Sequence, residues 1–313
     1  MLFLGIDTSC YTTSVAAVDQ SGRVVADRRR LLEVKAGQRG LRQSEAVFQH
    51  LKNLPCLMEE IKEFLPQAGA VAVSNAPRRE KDSYMPVFVA GKSFARTLAA
   101  ARGVPLYLST HQEGHIMAAA VTGAAPEAKE ILAVHLSGGT TEIVAAKADG
   151  AGYETQIIGK TLDIPAGQLV DRVGVKAGLG FPCGKQMDLQ ARDRGICLPV
   201  TVKGCDLHFS GAETAAMRLL EQGADPAGVF YAVFECVGKT LEKALDHAVK
   251  RTGYAAVVMA GGVSANAVLR RQLAGTVRFC PPEYAADNAV GTAYLCKRMC
   301  ERGESKNLYH HTD

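Results

Sequence analysis

Two stretches of this chain repeat one device, and the repetition constrains the fold more than any other feature. Residues 1–19 (MLFLGIDTSCYTTSVAAVD) and 131–149 (ILAVHLSGGTTEIVAAKAD) each read as an apolar strand, a tight turn, a second apolar strand and an aspartate. The turns are made of small and hydroxyl residues. Such a turn points backbone N–H groups and hydroxyls into one space, which suits phosphate oxygens. One hairpin of this kind says little. Two predict a duplicated, two-lobed protein that closes on a nucleotide.

At 313 residues the chain exceeds the usual single core, so two domains are expected. A hydrophobic content of 47% with 22% charged residues describes an ordinary globular protein. No apolar run reaches the ~18 residues that span a bilayer. The N-terminus lacks a charged segment before an apolar one, so no signal peptide and no membrane partner are expected. The nine cysteines, Cys10, Cys56, Cys183, Cys197, Cys205, Cys236, Cys280, Cys296 and Cys300, form no CxxC pair. Reduced thiols in a cytoplasmic protein follow. A net charge of +4 permits an anionic partner without advertising nucleic acid.

The rest alternates strand and helix. Apolar residues at Val47, Leu51, Leu54, Leu57, Met58, Ile61, Phe64 and Leu65 predict a helix over 44–67, kinked at Pro55. Short strands are expected at 69–74, 105–108 and 255–260, and a helix at 91–102. A long helix should run from Pro226, capped by Asp225, to Arg251, and stop at Gly253. After the strand at 255–260, Ser264 should cap a helix closed by Gly275. A last helix is expected over 287–301. This alternation around duplicated hairpins predicts an α/β architecture of two related lobes.

Three stretches suit phosphates or adenosine. Residues 137–141 (SGGTT) put paired glycines between strands, which also describes a plain hairpin turn. Residues 260–266 (AGGVSAN) form a strand–Gly–Gly–helix junction that lets a ligand approach backbone, or simply pack closely. Residues 178–186 (GLGFPCGKQ) form a glycine–proline loop that reads most simply as a turn. None matches a Walker loop or an early GxGxxG, so P-loop and Rossmann readings are poor. His111 and His115, four apart on one helical face, are a candidate metal pair. The motif is His-Gln-Glu-Gly-His and not HExxH, so Glu113 is misplaced for a zinc protease's base. An oxygen donor from far along the chain would complete the set. Asp287 is the candidate, although capping the last helix would explain it equally well.

LGIDTSC, HQEGH, LSGGTTEIV, DLHFSGAET, VVMAGGVSAN and AADNAVGTAY, in this order and at these spacings, resemble the TsaD family. These are the tRNA threonylcarbamoyladenosine transferases, once called O-sialoglycoprotein endopeptidases. The likeness spans nearly the whole chain. It implies a duplicated actin-like (ASKHA, ribonuclease H-like) fold, with residues 1–108 plus 293–313 as first lobe. Residues 109–292 would form the second, carrying most metal and nucleotide contacts. It implies transfer of threonylcarbamoyl from threonylcarbamoyl-AMP to the N(6) amine of the adenosine beside the anticodon, in tRNAs reading codons that start with A. His111, His115 and Asp287 would hold one divalent metal, iron or zinc. His135, Leu136, Ser137, Gly138 and Gly139 would lie along the acyl-adenylate, or another bound adenine nucleotide. Asp171, Gly184 and Asn266 would complete the adenosine pocket. No catalytic base is assigned. Implied partners are tRNA, an actin-like paralogue, the pathway's small ATPase, and a homo- or heterodimer formed through the first lobe. Read from the residues themselves, Arg28–Arg30 describe a solvated strand end, or, extended by Lys35, Arg39 and Arg42, a basic strip for tRNA phosphates.

Departures from the family pattern are local. Tyr11 and Thr12 replace an acidic pair, and Thr140 replaces a histidine. Gln168 replaces an acid, and Glu213 replaces a lysine while forming a Ser210–Glu213 capping box. The family's glycine-rich loop GPGLxGxLxVG is absent. Residues 76–91, APRREKDSYMPVFVAG, stand in its place with Arg78, Arg79 and Lys81. Two other readings therefore stand beside the transferase. One is a metal- and nucleotide-binding paralogue with a different acyl or carbamoyl acceptor, met by those three cations. The other is a non-catalytic scaffold pairing with a true transferase. A protease is disfavoured by HQEGH, and a kinase would need Asp7 beside its phosphates.

Overall fold

The computed structural model describes residues 1–9, 11–34, 41–79, 83–123 and 128–304. Cys10, Lys35, Arg39 and Lys81 lie outside the described residues. The chain packs as two units, Met1–Val121 with Asp149–Tyr153 and Asp287–Asp313, and Thr122–Ala148 with Glu154–Ala286.

The first unit runs β1 (Leu2–Asp7), β2 (Thr12–Asp19), β3 (Val24–Leu31), α1 (Gln43–Glu60), β4 (Ala68–Ala76), α2 (Val87–Arg102), β5 (Leu106–Thr110) and α3 (His111–Thr122). The second runs β6 (Glu130–Leu136), β7 (Thr141–Asp149), β8 (Gly152–Lys160), α4 (Ala166–Lys176), α5 (Gly184–Gln190), β9 (Thr201–Lys203), β10 (Asp206–His208), α6 (Ser210–Glu221), α7 (Pro226–Thr252), β11 (Ala256–Ala260), α8 (Ala267–Leu273), β12 (Arg278–Phe279) and α9 (Pro282–Ala285). The chain then returns to the first unit with α10 (Val290–Glu301).

The two sheets share one plan. The first is ordered β3-β2-β1-β4-β5 and the second β8-β7-β6-β11-β12. In each, the opening strand pairs antiparallel with its hairpin partner, Leu2 opposite Asp19 and Leu136 opposite Thr141. On its other side it pairs parallel with a strand from much later, β4 or β11. The duplication read from the two hairpins thus extends through five strands of each sheet. Every residue of β1 is buried, as a central strand covered on both faces requires. In the first unit Leu4, Ile6, Val15 and Ala17 pack with Leu54 and Leu57 of α1, Ile61 just past its end, and Ala95 and Ala99 of α2. In the second, Leu132, Val134 and Leu136 alternate along β6 onto one face. They meet Leu169 and Val173 of α4 and Phe230, Phe234 and Leu241 of α7.

Helix ends follow local chemistry, with four corrections. Asp225 accepts from Ala227 N at the start of α7, and Gly253 ends it in the left-handed region at φ +75°. Helix α1 contains Pro55 and ends at Glu60, short of the expected 67. Asn266, not Ser264, caps α8 by accepting from Leu269 N at 3.0 Å, because Ser264 lies inside a 3₁₀ turn. The Ser210–Glu213 box does not form. Asp163 instead takes Phe209 N, Ser210 N and Ser210 Oγ, while Glu213 turns to Arg172. These bonds hold the Asp163 carboxyl well below its usual range against the opposing push of burial. Asp287 does not open α10, which begins at Val290 with Asn288 Oδ1 accepting the Val290 N–H.

Backbone contact unites α3 and α10. A Cβ placed on Gly291 would lie 1.8 Å from Gly114 O, so the two helices meet main chain to main chain. Likewise a Cβ on Gly5 would lie 2.4 Å from Ala289 O and from Ala293 N, which lays α10 against β1. The units divide after 121 and at 287, beside the lobes of 1–108 plus 293–313 and 109–292 that the resemblance implies. His111, His115 and Asp287 pack with the first unit. Among the described residues no helix is long and apolar enough to cross a membrane, and eight cysteines are free thiols.

Candidate functional site

Helix α3 begins immediately where β5 ends, so its first residue, His111, leaves the C-terminal edge of the first sheet. His115 follows one turn later on the same face. Asp287 arrives from the segment before α10. One ligand atom from each lies within 4.8 Å of the others. His115 Nε2 stands 3.0 Å from His111 Nε2 and 3.2 Å from Asp287 Oδ1, and His111 Nε2 stands 3.7 Å from that oxygen. Around a tetrahedral ion with bonds of about 2.0–2.1 Å, ligand atoms sit roughly 3.3 Å apart. The donor set therefore fits one divalent ion, with two imidazoles and one carboxylate leaving positions open.

A fourth residue completes the arrangement, and sequence reading missed it. Asp7, 1% exposed at the end of β1, accepts from His111 Nδ1 through Oδ2 at 2.7 Å. The same carboxylate takes Ser9 N through Oδ1 at 2.9 Å and Ser9 Oγ through Oδ2 at 3.0 Å. With Nδ1–H given to Asp7, the His111 Nε2 lone pair is aimed at the metal position, the carboxylate–histidine pattern of metal sites. Burial disfavours the charged His111 ring, but the Asp7 charge and hydrogen bond, helped by Asp287, push its pKa up to about 9. Burial pushes the Asp7 carboxyl up, and His111 beside it more than offsets this, so it sits below the usual range. Asp7→Asn keeps the size and removes the charge, and zinc affinity should fall about 10–100-fold. A chelator-competition titration measures it.

Glu113 points elsewhere. Its Oε2 accepts from Thr110 N at 3.0 Å and Thr110 Oγ1 at 2.9 Å, while Thr110 Oγ1 accepts from Glu113 N at 3.2 Å. This is a capping box at the start of α3, legible in Thr110-His-Gln-Glu113 as the T-x-x-E pattern.

The other candidate residues lie in the second unit, joined by a chain of contacts. His135 and Leu136 end β6, and Ser137–Gly139 form the following turn, where Ser137 N donates to Thr140 O at 2.8 Å. A Cβ on Gly138 or Gly139 would meet nothing within 4 Å, so this backbone is bare. Gly167 N donates to Ser137 O, and a Cβ there would lie 2.6 Å from that oxygen, so α4 starts against the turn. Asp171, one helical turn on, accepts from Cys183 N at 2.8 Å, beside Gly184 at the start of α5. Burial pushes the Asp171 carboxyl up despite that bond. Asp188 of α5 takes Asn266 Nδ2 at 2.7 Å. Gly261 holds φ +99°, and a Cβ there would lie 2.1 Å from Leu136 O, so the AGG loop runs against the end of β6. The Ser264 hydroxyl is buried there with no partner among the described residues.

Among the departures, Arg172 gathers two, donating to Gln168 Oε1 at 3.0 Å and to Glu213 Oε2 at 3.2 Å. Thr140 N donates to Ser137 Oγ at 3.0 Å. Arg79 donates to Glu113 and Asp149, so it is already committed within the protein.

The fold and the family are shared with known proteins. The (R)-2-hydroxyglutaryl-CoA dehydratase component A of Acidaminococcus fermentans superposes over 96% of this chain and 99% of its own, with TM-score 0.59 and 13% identity. Together with the two sheets of matching order, this defines an α/β protein of the actin-like (ASKHA) class. The family model described as TsaD, tRNA N6-adenosine threonylcarbamoyltransferase, matches residues 34–294. A tRNA N6-adenosine threonylcarbamoyltransferase of Thermus thermophilus is 34% identical, over 97% of this chain and 94% of its own. A probable bifunctional tRNA threonylcarbamoyladenosine biosynthesis protein of Methanothermobacter thermautotrophicus is 32% identical over 94% of this chain. The present chain spans 55% of that relative's length. The chain belongs to the TsaD family.

Proposed function

We propose that this protein transfers a threonylcarbamoyl group from threonylcarbamoyl-AMP to the N(6) amine of the adenosine next to the anticodon in tRNA. The observation that carries the reading is the convergence of His111, His115 and Asp287, backed by Asp7, in a member of this family. Threonylcarbamoyl-AMP is a mixed anhydride with a good leaving group, so no covalent nucleophile is needed. The amine nitrogen forms a bond to the carbamoyl carbon, the carbon–oxygen bond to phosphate breaks, AMP departs and the amine loses a proton. The difficulty is the weak nucleophile, and the remedy is positioning with polarisation of the carbonyl. A bound iron or zinc ion would supply that polarisation as a Lewis acid.

The protein's own groups do the rest. The bare Ser137–Gly139 backbone receives the phosphate oxygens, with His135 and Leu136 as its base. Asp171 accepts hydroxyls from the ribose, its carboxylate having lone pairs beyond the one used by Cys183 N. Gly184 allows close approach of the base. Asn266 shapes the AGGVSAN loop, since its Oδ1 caps α8 and its Nδ2 is held by Asp188. The family setting further supports a cytoplasmic protein working with an actin-like paralogue and a small ATPase, dimerising through the first lobe. The arginines at 28–30 belong to the tRNA side of this proposal.

Purified protein, the intermediate-forming enzyme, ATP, threonine, bicarbonate and unmodified tRNA should yield the modified adenosine by nucleoside mass spectrometry. Absence of product with every pathway partner and either metal added would overturn the assignment.

A further inference from the structure

The segment that replaces the family's glycine-rich loop is fastened to the helix bearing the metal ligands. Pro77 O accepts from Gln112 N at 3.1 Å, satisfying one of the first N–H groups of α3. Arg79 Nε and Nη2 both reach Glu113 Oε1, at 3.0 and 2.5 Å, and Nη1 reaches Asp149 Oδ2 at 3.2 Å. Glu113 lies two residues from each histidine, about 200° round the helix from His111, and its side chain is only 3% exposed. Gly152 leaves room for the pair: a Cβ there would lie 2.8 Å from Glu113 Oε1 and 3.2 Å from Arg79 Nη2. The capping carboxylate of α3 is therefore a buried charge whose counter-ion among the described residues is the Arg79 guanidinium.

We infer that Arg79 is a positioning residue for the metal centre, acting through Glu113 to fix the first turn of α3 and so the aim of His111 and His115. This inference rests on the metal reading above. A buried carboxylate stripped of its cation must draw in water or swing to a new place. Each remedy disturbs the Thr110–Glu113 box that sets the pitch of the helix start. The role of Arg79 is thus to make Glu113 tolerable as a cap, not to meet an anionic substrate. Lysine is a poor substitute, because one ammonium cannot serve both carboxylates in a fork.

The test is Co²⁺ titration of the full-length protein, read by its d–d absorption band, with zinc affinity taken by competition. Arg79→Met should weaken Co²⁺ about 10–100-fold, the range for outer partners of metal ligands, and should alter the band. Arg79→Met/Glu113→Gln should restore binding to within about threefold of wild type, because an amide still accepts from Thr110 without a stranded charge. Asp149→Asn, at the exposed end of the network, should change little and controls for loss of the loop contact alone. Wild-type affinity and spectrum in Arg79→Met overturn the inference. A double variant no better than Arg79→Met overturns it too, since Arg79 would then merely hold the loop. A wild-type protein that binds neither ion overturns it together with the metal reading. Failure of tRNA modification alongside the expected titrations would instead sink only the proposed reaction.

Discussion

Replacing His115 by alanine should abolish divalent-metal binding and transferase activity together while leaving the fold in place. The side chain is 6% exposed, and its Nε2 is the closest atom to both other candidate ligands, at 3.0 and 3.2 Å. Losing it leaves one imidazole and one carboxylate, too few to hold an ion against water. The fall in zinc affinity should exceed the roughly 10–100-fold expected for an outer partner. Melting curves give a second readout. A ligand present at 100 times its Kd stabilises the native state by about 2.7 kcal/mol, so a chelator should lower the wild-type Tm. The Tm of His115→Ala should not respond. A variant that keeps its metal would show that the ion sits elsewhere.

Gly291→Ala should be the most damaging single substitution to the fold. The added methyl would lie 1.8 Å from Gly114 O, 2.7 Å from Gly114 C and 2.8 Å from Ala118 N, all main-chain atoms that no rotamer change can move. Helices α3 and α10 must separate. Overpacked sites usually cost 1–3 kcal/mol and occasionally more; with backbone on both sides, about 3 kcal/mol or more is expected. The ligands ride on these elements, so metal affinity should fall with stability. Gly275→Ala is the control, since a Cβ there meets nothing within 4 Å and its effect should be near zero. Denaturant midpoints of the two variants decide the matter. Equal midpoints would mean that the helix contact is looser than the structure has it.

What was legible in the sequence was what short range controls. The two hairpins, the capped helix from Pro226 to Gly253 and the spacing of His111 and His115 are each set within a few residues. Asp287 carried two good readings because a carboxylate before a helix suits either role, and only its distance to His115 separates them. Asp7 was invisible as a partner of His111: an aspartate at a strand end has many uses, and the pairing spans 104 residues. The Thr110–Glu113 box was legible but overshadowed by the histidine pattern laid over it. The opposite error occurred at Ser210, where the local pattern was present but Asp163 and Arg172 offered charged partners from outside it. The contact that joins α3 to α10 runs between glycines 177 positions apart, Gly114 and Gly291, which no window of sequence displays.

The first unit is stitched from three separated pieces, and its last piece is α10. During synthesis the whole of the second unit is made before Asp287 is added. Strand β1, whose Gly5 is shaped to receive Ala289 and Ala293, must wait with that face uncovered through most of translation. Newborn chains short of residue 287 hold two imidazoles but no carboxylate to join them. An ion held by all three groups would therefore load only after Asp287 has been made, and would tie the late-made segment before α10 to the early-made α3.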